Sequence, residues 1–315
     1  MKFQYLIDKI NSSTFSNSPF KHVEINNFFD EAHFNEIISS SDINIDPVSS
    51  DNDLFTKLFE KNYRIIKHAG CIEEKEAYIK WHKTKKVDHR KKTSNSGFGM
   101  ALRLEETQSE AINDVMKFLD SDDFLKCITE KFDIDHNDCK YDNGIHKYLD
   151  GYEISPHPDI RRKALTFMVN INPHVNSEDY EIHTSYLKFK KEWNYVKEFW
   201  NGRIDYDRCW VPWNWCEIIK KQKANNSLVI FAPANDTMHA IMCNYDHLDF
   251  QRTQLYGNLF YNSVNINNRP EWEDYVISER ERIKEKTFGE KILRKLNFLD
   301  SSKNSSKTHM RRVDQ

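Results

Sequence analysis

Glycine and proline are scarce. Each occurs eight times in 315 residues, together about 5 % of the chain where average usage gives roughly 12 %. That scarcity excludes collagen-like, Pro-rich and Gly/Ser-linker architectures. No CxxC pair occurs among Cys71, Cys127, Cys139, Cys209, Cys216 and Cys243, so free thiols in a reducing compartment are expected rather than a zinc knuckle or a disulfide framework. No apolar run approaches the roughly 18 residues of a membrane span. The opening MKFQYLIDKINSS contains Asp8 and lacks the long apolar core of a secretory leader. A cytoplasmic protein without a membrane partner is therefore expected. Neither sign of charge dominates: 46 Lys and Arg oppose 49 Asp and Glu, which disfavours nucleic acid as a partner. What is abundant is aromatic, with 20 Phe, 14 Tyr and 7 Trp, and disordered chains are poor in such residues.

The N-terminal part reads as helices with interspersed strands. A short helix comes first, then the strand KHVEINNFF, then a helix entered at Asp30. Helical patterns follow at about 52–62 and 72–85, and SNSGFGMALRLEE returns to strand. Two more helices, QSEAINDVMKFLDS and DDFLKCITEKF, follow, the second capped by Ser121 or Asp122. After about residue 135 short strand-like runs alternate with turns: GIHKYLD, YEISPH, ALTFMVNINP, EIHTSYLKF, SLVIFAP, MHAIMCN and RTQLYGNLFY. Many short strands separated by turns predict a sandwich or barrel. A segment of about 190–226 interrupts them. From Trp272 the text turns helical and charged, ending near Leu299.

His-x-acid pairs place two metal-binding groups on one face of a strand. Thirteen histidines and 49 acids give about two such pairs by chance, and the chain has four: His22/Glu24, His136/Asp138, His157/Asp159 and His247/Asp249. Context selects His157/Asp159, which closes one strand-like run and precedes the most strand-like segment of the chain. The other pairs are expected as a strand at the domain edge for His22/Glu24 and as surface loops for His136/Asp138 and His247/Asp249. Downstream, His239 opens another strand of the same region. Two histidines and a carboxylate leave open positions on an octahedral ion, the arrangement of non-haem Fe(II) oxygenases. Arg252, on the next strand, suits a bidentate carboxylate receptor.

At this point the text resembles a known family. MKFLDSDDFLKCITEKF, GIHKYLDGYEISPHPD, RRKALTFMVNINP, SLVIFAPANDTMHAI and RTQLYGNLFY, in this order over about 115–262, resemble the Fe(II)/2-oxoglutarate-dependent dioxygenases, in their prolyl-4-hydroxylase-like branch. PFKHVEINNFFDEAHFNEI is similar to the family's opening strand and helix. The resemblance implies a mainly β fold with α: a double-stranded β-helix (jelly roll), buttressed by N-terminal helices and followed by a helical C-terminal extension. One catalytic domain would span 1–270, with its core at about 140–265, the extension at 271–300 and a disordered tail at 301–315. It implies iron on His157, Asp159 and His239, 2-oxoglutarate held by Arg252 with Tyr148 and Asn170, and O2 as oxidant. The implied reaction is hydroxylation of an unactivated C–H bond, with release of succinate and CO2. The substrate would be a protein or peptide side chain or a small metabolite. Two other readings of the residues stay open: a cupin-like metalloenzyme that uses no 2-oxoglutarate, and a binding protein on the same fold.

Two departures from the family pattern stand out. Its GGxL strand is missing, with NSEDYEIHTSYLKF in that place, and the 190–226 segment is long. That segment holds Trp193, Trp200, Trp210, Trp213 and Trp215. A satellite core and a substrate-facing lid are both expected roles for it. Arg161, Trp213 and Trp215 are the candidate substrate-binding residues. The C-terminal helix, with Ile283, Ile292, Leu293 and Leu296 on one face, would pack back on the domain or join two copies.

Overall fold

A computed structural model describes residues 2–68, 70–84, 94, 97–264 and 266. The expected extension at 271–300, the tail at 301–315 and any dimer contact through that helix lie outside the described residues. In the N-terminal part the chain forms α1 (Gln4–Ser12), β1 (Phe15–Ser16), β2 (His22–Asn26), α2 (Glu31–Ser39), α3 (Asp51–Glu60), β3 (Tyr63–Ile65), α4 (Lys75–Thr84), β4 (Ala101–Leu104), α5 (Glu110–Leu119) and α6 (Asp122–Lys131). Side-chain caps start three of these helices: Ser50, Ser109 and Ser121 each accept an N–H from the first turn. Of the two candidate caps for α6, Ser121 is the one used. Asp30 stands at the start of α2 without a side-chain cap bond.

The second part supplies β5 (Cys139–Tyr148), β6 (Glu153–His157), β7 (Lys163–Asn170), β8 (Ser185–Phe189), α7 (Tyr195–Gly202), β9 (Cys216–Lys221), β10 (Ser227–Phe231), β11 (His239–Met242) and β12 (Arg252–Tyr261). One sheet runs β1-β2-β10-β7-β12-β5-β4-β3 and the other β6-β11-β8-β9. From β5 to β12 the chain changes sheet at every connection except the β8–β9 hairpin, and all pairings are antiparallel. That winding is the expected jelly roll. The segment read as an insert is partly core: its Cys216–Lys221 is the edge strand of the smaller sheet, paired with β8. Its burial pattern, one buried residue followed by three exposed, explains why no alternation marks it in the sequence.

Strand parity assigns the two faces of the large sheet. Leu165, Phe167 and Val169 of β7, Leu228 and Ile230 of β10, and Leu255 and Leu259 of β12 join the helices in one apolar core. Phe124 of α6 meets Phe167 edge-on at 5.5 Å. A Cβ on Gly257 would lie 2.3 Å from the Phe167 ring, so one of the few glycines is required where strand and aromatic meet. The alternate residues of β12, Arg252, Gln254, Tyr256, Asn258 and Phe260, face a cavity between the sheets. The N-terminal helices thus brace one face of the sheet while the other face carries the polar residues of the site. All six cysteines are free thiols. Among the described residues no helix is long and apolar enough to cross a membrane.

Candidate metal centre

β6 ends at His157, and β11 begins with His239 directly opposite it in the ladder. Asp159 follows two residues after His157 in the left-handed region, at φ 66°, a conformation that Asp tolerates better than most residues. The three side chains converge. His157 Nε2 lies 3.5 Å from Asp159 Oδ1, and His239 Nε2 lies 3.7 Å from Oδ2. Each imidazole spends its other nitrogen on a backbone carbonyl two residues earlier: His157 Nδ1 on Ser155 at 2.8 Å and His239 Nδ1 on Thr237 at 2.9 Å. A carbonyl only accepts, so Nδ1 carries the proton and Nε2 presents a lone pair. Three electron-pair donors therefore face one another with no hydrogen between them, which is the donor set of a divalent transition metal.

The carboxylate is held from behind. Lys163 Nζ donates to Asp159 Oδ1 at 2.7 Å and Thr166 Oγ1 to Oδ2 at 2.9 Å. Tyr256 OH sits 2.9 Å from the same ammonium. Burial works to raise the Asp159 pKa, but Lys163 and the two imidazoles hold it well below the ordinary value. Such outer contacts fix the orientation of a ligand.

A second cluster of the same composition, Asp51, His82 and His247, lies outside the barrel. There His247 Nδ1 accepts the Asp150 N–H at 3.3 Å, so its proton is on Nε2, which donates to Asp51 at 2.9 Å. His82 sets its two nitrogens against Asp51 and Asp150, at 3.2 and 3.0 Å. Protons already fill that cluster, and it is a hydrogen-bonded clamp between α3, α4 and the barrel. His247, expected on a surface loop, is fully buried. The loop reading fails because the Asp51 carboxylate, far away in sequence, supplies its partner. Asp249, in contrast, is exposed beside His174.

The cavity next to the triad measures about 310 Å³ and is lined by Tyr148, His157, Asp159, His239 and Arg252 among others. Arg252 is 2 % exposed. Its guanidinium lies 4.5 Å over the Tyr148 ring and donates to Thr184 Oγ1 at 3.1 Å. Among the described residues no carboxylate lies within ion-pair distance of it. A buried cation without a counter-ion is costly, and a ligand anion would supply one.

The remaining sequence candidates stand elsewhere. Asn170 donates to the Gln222 and Ala224 carbonyls and accepts from Gln254 Nε2, so its amide is engaged in the frame and does not line the cavity. Arg161 clamps the Trp-rich segment through the carbonyls of Trp200, Arg203 and Tyr206. Trp213 donates to Glu153 Oε1 at 2.7 Å, and Trp215 stacks on Trp193 at 4.0 Å. These residues seat the segment on the smaller sheet, where Trp200, Val211 and Met238 form a satellite core. The segment still reaches the cavity, through Arg208, Cys209 and Trp210. Lys163, Thr166, Tyr256 and His146 were also not singled out by sequence. Counting by twos from Arg252 and Tyr148 locates Tyr256 and His146; nothing local marks Arg208.

Burial, with Arg103 and Arg252 nearby, pushes the His146 pKa from 6.5 down to about 3. The folded protein keeps this ring neutral while the unfolded chain protonates it, so stability falls as pH drops from about 6.5 towards 3. Between pH 7 and pH 5 the wild type is expected to lose about 2 kcal/mol more than His146→Gln. Denaturant titrations at the two pH values check this; parallel losses would refute it.

No family model and no curated protein matches this chain. Solved structures of prolyl hydroxylases and 2OG-Fe(II) oxygenases are similar to it. A Pseudomonas putida prolyl-4-hydroxylase is 10 % identical at a TM-score of 0.40, covering 83 % of this chain and 100 % of that one. A Trichoplax adhaerens prolyl hydroxylase, in complex with a hypoxia inducible factor peptide fragment, is 12 % identical at 0.38, covering 82 % and 89 %. A Burkholderia pseudomallei oxidoreductase of the 2OG-Fe(II) oxygenase family is 9 % identical at 0.30, covering 72 % and 97 %.

Proposed function

We propose that this chain is an Fe(II)- and 2-oxoglutarate-dependent oxygenase that hydroxylates an unactivated C–H bond, releasing succinate and CO2. The observation that carries the reading is the convergence of the lone pairs of His157, Asp159 and His239 beside a buried guanidinium that lacks a counter-ion. The three side chains would hold Fe(II), and two histidines with one carboxylate leave positions open for further ligands. Iron bound there with 2-oxoglutarate and O2 would supply the oxidant. Arg252 would pair with the distal carboxylate of 2-oxoglutarate, with Tyr148 fixing the guanidinium plane from its ring face. Lys163 and Thr166 keep the Asp159 carboxylate oriented. The Trp-rich segment closes one side of the cavity through Trp210, whose ring lies 6.2 Å from that of His157, and so limits access of water. The cavity volume suits a peptide side chain or a small metabolite alongside the co-substrate.

Anaerobic addition of Fe(II) and 2-oxoglutarate is expected to produce the weak visible charge-transfer band of the chelate. In Arg252→Gln the affinity for 2-oxoglutarate is expected to fall roughly 10- to 150-fold, the loss of about 1.5–3 kcal/mol of charge-assisted bonding, while iron binding is kept. A jelly-roll metalloenzyme that does not use 2-oxoglutarate would bind iron, show no band and be indifferent to Arg252→Gln.

A further inference from the structure

The cavity holds a second buried guanidinium, for which 2-oxoglutarate has no use. Arg208 comes from the Trp-rich segment, lines the cavity together with Asp159 and Trp210, and is 5 % exposed. Its Nη2 donates to the Ile160 carbonyl at 3.1 Å, which sets it beside the residue following the metal carboxylate. Its Nε–H is buried with no acceptor. Among the described residues no carboxylate lies within ion-pair distance. Of the three acids near it, Asp207 Oδ1 accepts the backbone N–H groups of Arg161 and Arg208, both at 2.8 Å, Asp159 takes Lys163 and Thr166, and Asp236 is exposed to solvent and beyond ion-pair distance. Burial, with the Arg161 charge, lowers the Arg208 pKa to about 10. All of this describes a cation short of negative charge.

We propose that Arg208 is the receptor for an anionic group, a carboxylate or a phosphate, on the substrate itself. The substrate's charged end is anchored at the insert, and the neighbouring C–H bond is presented to the triad. The two arginines thus divide two anions between them: Arg252, on β12 with Tyr148 and Thr184, takes the co-substrate, and Arg208 takes the substrate. The inference rests on the oxygenase reading of this cavity.

The test uses the full chain, with N-acetylglycine as the carboxylate probe and inorganic phosphate as the phosphate probe. Binding is followed by ligand-observed NMR at low ionic strength, with 2-oxoglutarate saturating. At least one probe is expected to bind the wild type, at least tenfold more weakly to Arg208→Gln, and with intermediate affinity to Arg208→Lys, which keeps the charge and loses the fork. The probe that binds tells carboxylate from phosphate. Melting temperatures show whether each variant is folded; if Arg208→Gln is not, the decision passes to Arg208→Lys. Binding of neither probe to the wild type, or equal binding to the folded variant and the wild type, overturns the proposal. Titration of the same samples with 2-oxoglutarate reports on the oxygenase reading separately. Its binding is expected to survive Arg208→Gln and to fall in Arg252→Gln. If 2-oxoglutarate fails to bind while a probe still depends on Arg208, the receptor stands and the oxygenase reading falls.

Discussion

Asp159→Ala is expected to abolish 2-oxoglutarate turnover and to weaken Fe(II) binding more than about 100-fold, because loss of an outer-shell partner alone costs a metal site about 10- to 100-fold. What surrounds the carboxylate sets the size of the loss. Its oxygens lie 3.5 and 3.7 Å from the two imidazole Nε2 atoms, so its removal deletes the only negative charge of the triad. It also releases the Lys163 ammonium, 2.7 Å away, leaving a partly buried cation beside two neutral donors, which repels a metal. Lys163→Met removes one outer contact and keeps the three side chains of the triad, so its loss is expected to stay within the 10- to 100-fold range. Fe(II) titration monitored by tryptophan fluorescence, with succinate release as the second readout, separates the two variants. Unchanged metal affinity in Asp159→Ala would remove the basis of the whole site assignment.

Asp51→Ala is expected to destabilise the fold by on the order of 3 kcal/mol, the usual cost of breaking a buried pair by removing one partner. The substitution orphans the fully buried Nε2–H of His247 and takes one of two carboxylates from His82. At this chain length, with about 2.1 cal/mol/K of unfolding entropy per residue, that corresponds to a fall in melting temperature of roughly 4–6 °C. Asp51→Asn keeps an acceptor for His247 and is expected to lose less than half as much. The effect also carries a pH signature. Burial opposes ionisation of Asp51, but the His247 hydrogen bond and the His82 charge prevail and lower its pKa. Its contribution is therefore present above the ordinary carboxylate pKa and is lost as pH falls through the lowered value. Thermal melts that coincide for wild type and Asp51→Ala would show that the clamp adds no stability.

Sequence legibility followed the reach of local pattern. Strands β7, β10 and β12 were readable because each is mainly apolar on the helix-facing side and bounded by turns, and His157, Asp159, His239 and Arg252 stand at or just beyond strand ends where such patterns stop. β9 was not readable, because an edge strand exposed along most of its length has no alternation to find. The His247–Asp51 clamp joins positions almost 200 residues apart and is created by packing alone. Asn170 shares the inward parity of Thr166 and Met168, yet it lies at the strand end, where the Gln222 and Ala224 carbonyls claim its amide. Parity predicts a face and says nothing about competing partners. Arg208 illustrates the same limit: a lone arginine in a Trp-rich stretch becomes notable only when it proves to be buried with no carboxylate, among the described residues, at ion-pair distance.

The Arg161 clamp bears on how this part of the molecule could be exchanged between proteins. On paper, residues 190–215 look like a cassette that could be cut out at Phe189 and Cys216. In space the cassette is bolted to residues outside it, through Arg161 to the carbonyls of Trp200, Arg203 and Tyr206 and through Glu153 to Trp213. Excision would strip Arg161 of these three carbonyl acceptors and Glu153 of the Trp213 N–H. A chimera that imports a different cover must therefore replace Glu153 and Arg161 in the same step, so the unit of modularity here is a set of contacts and not a stretch of chain.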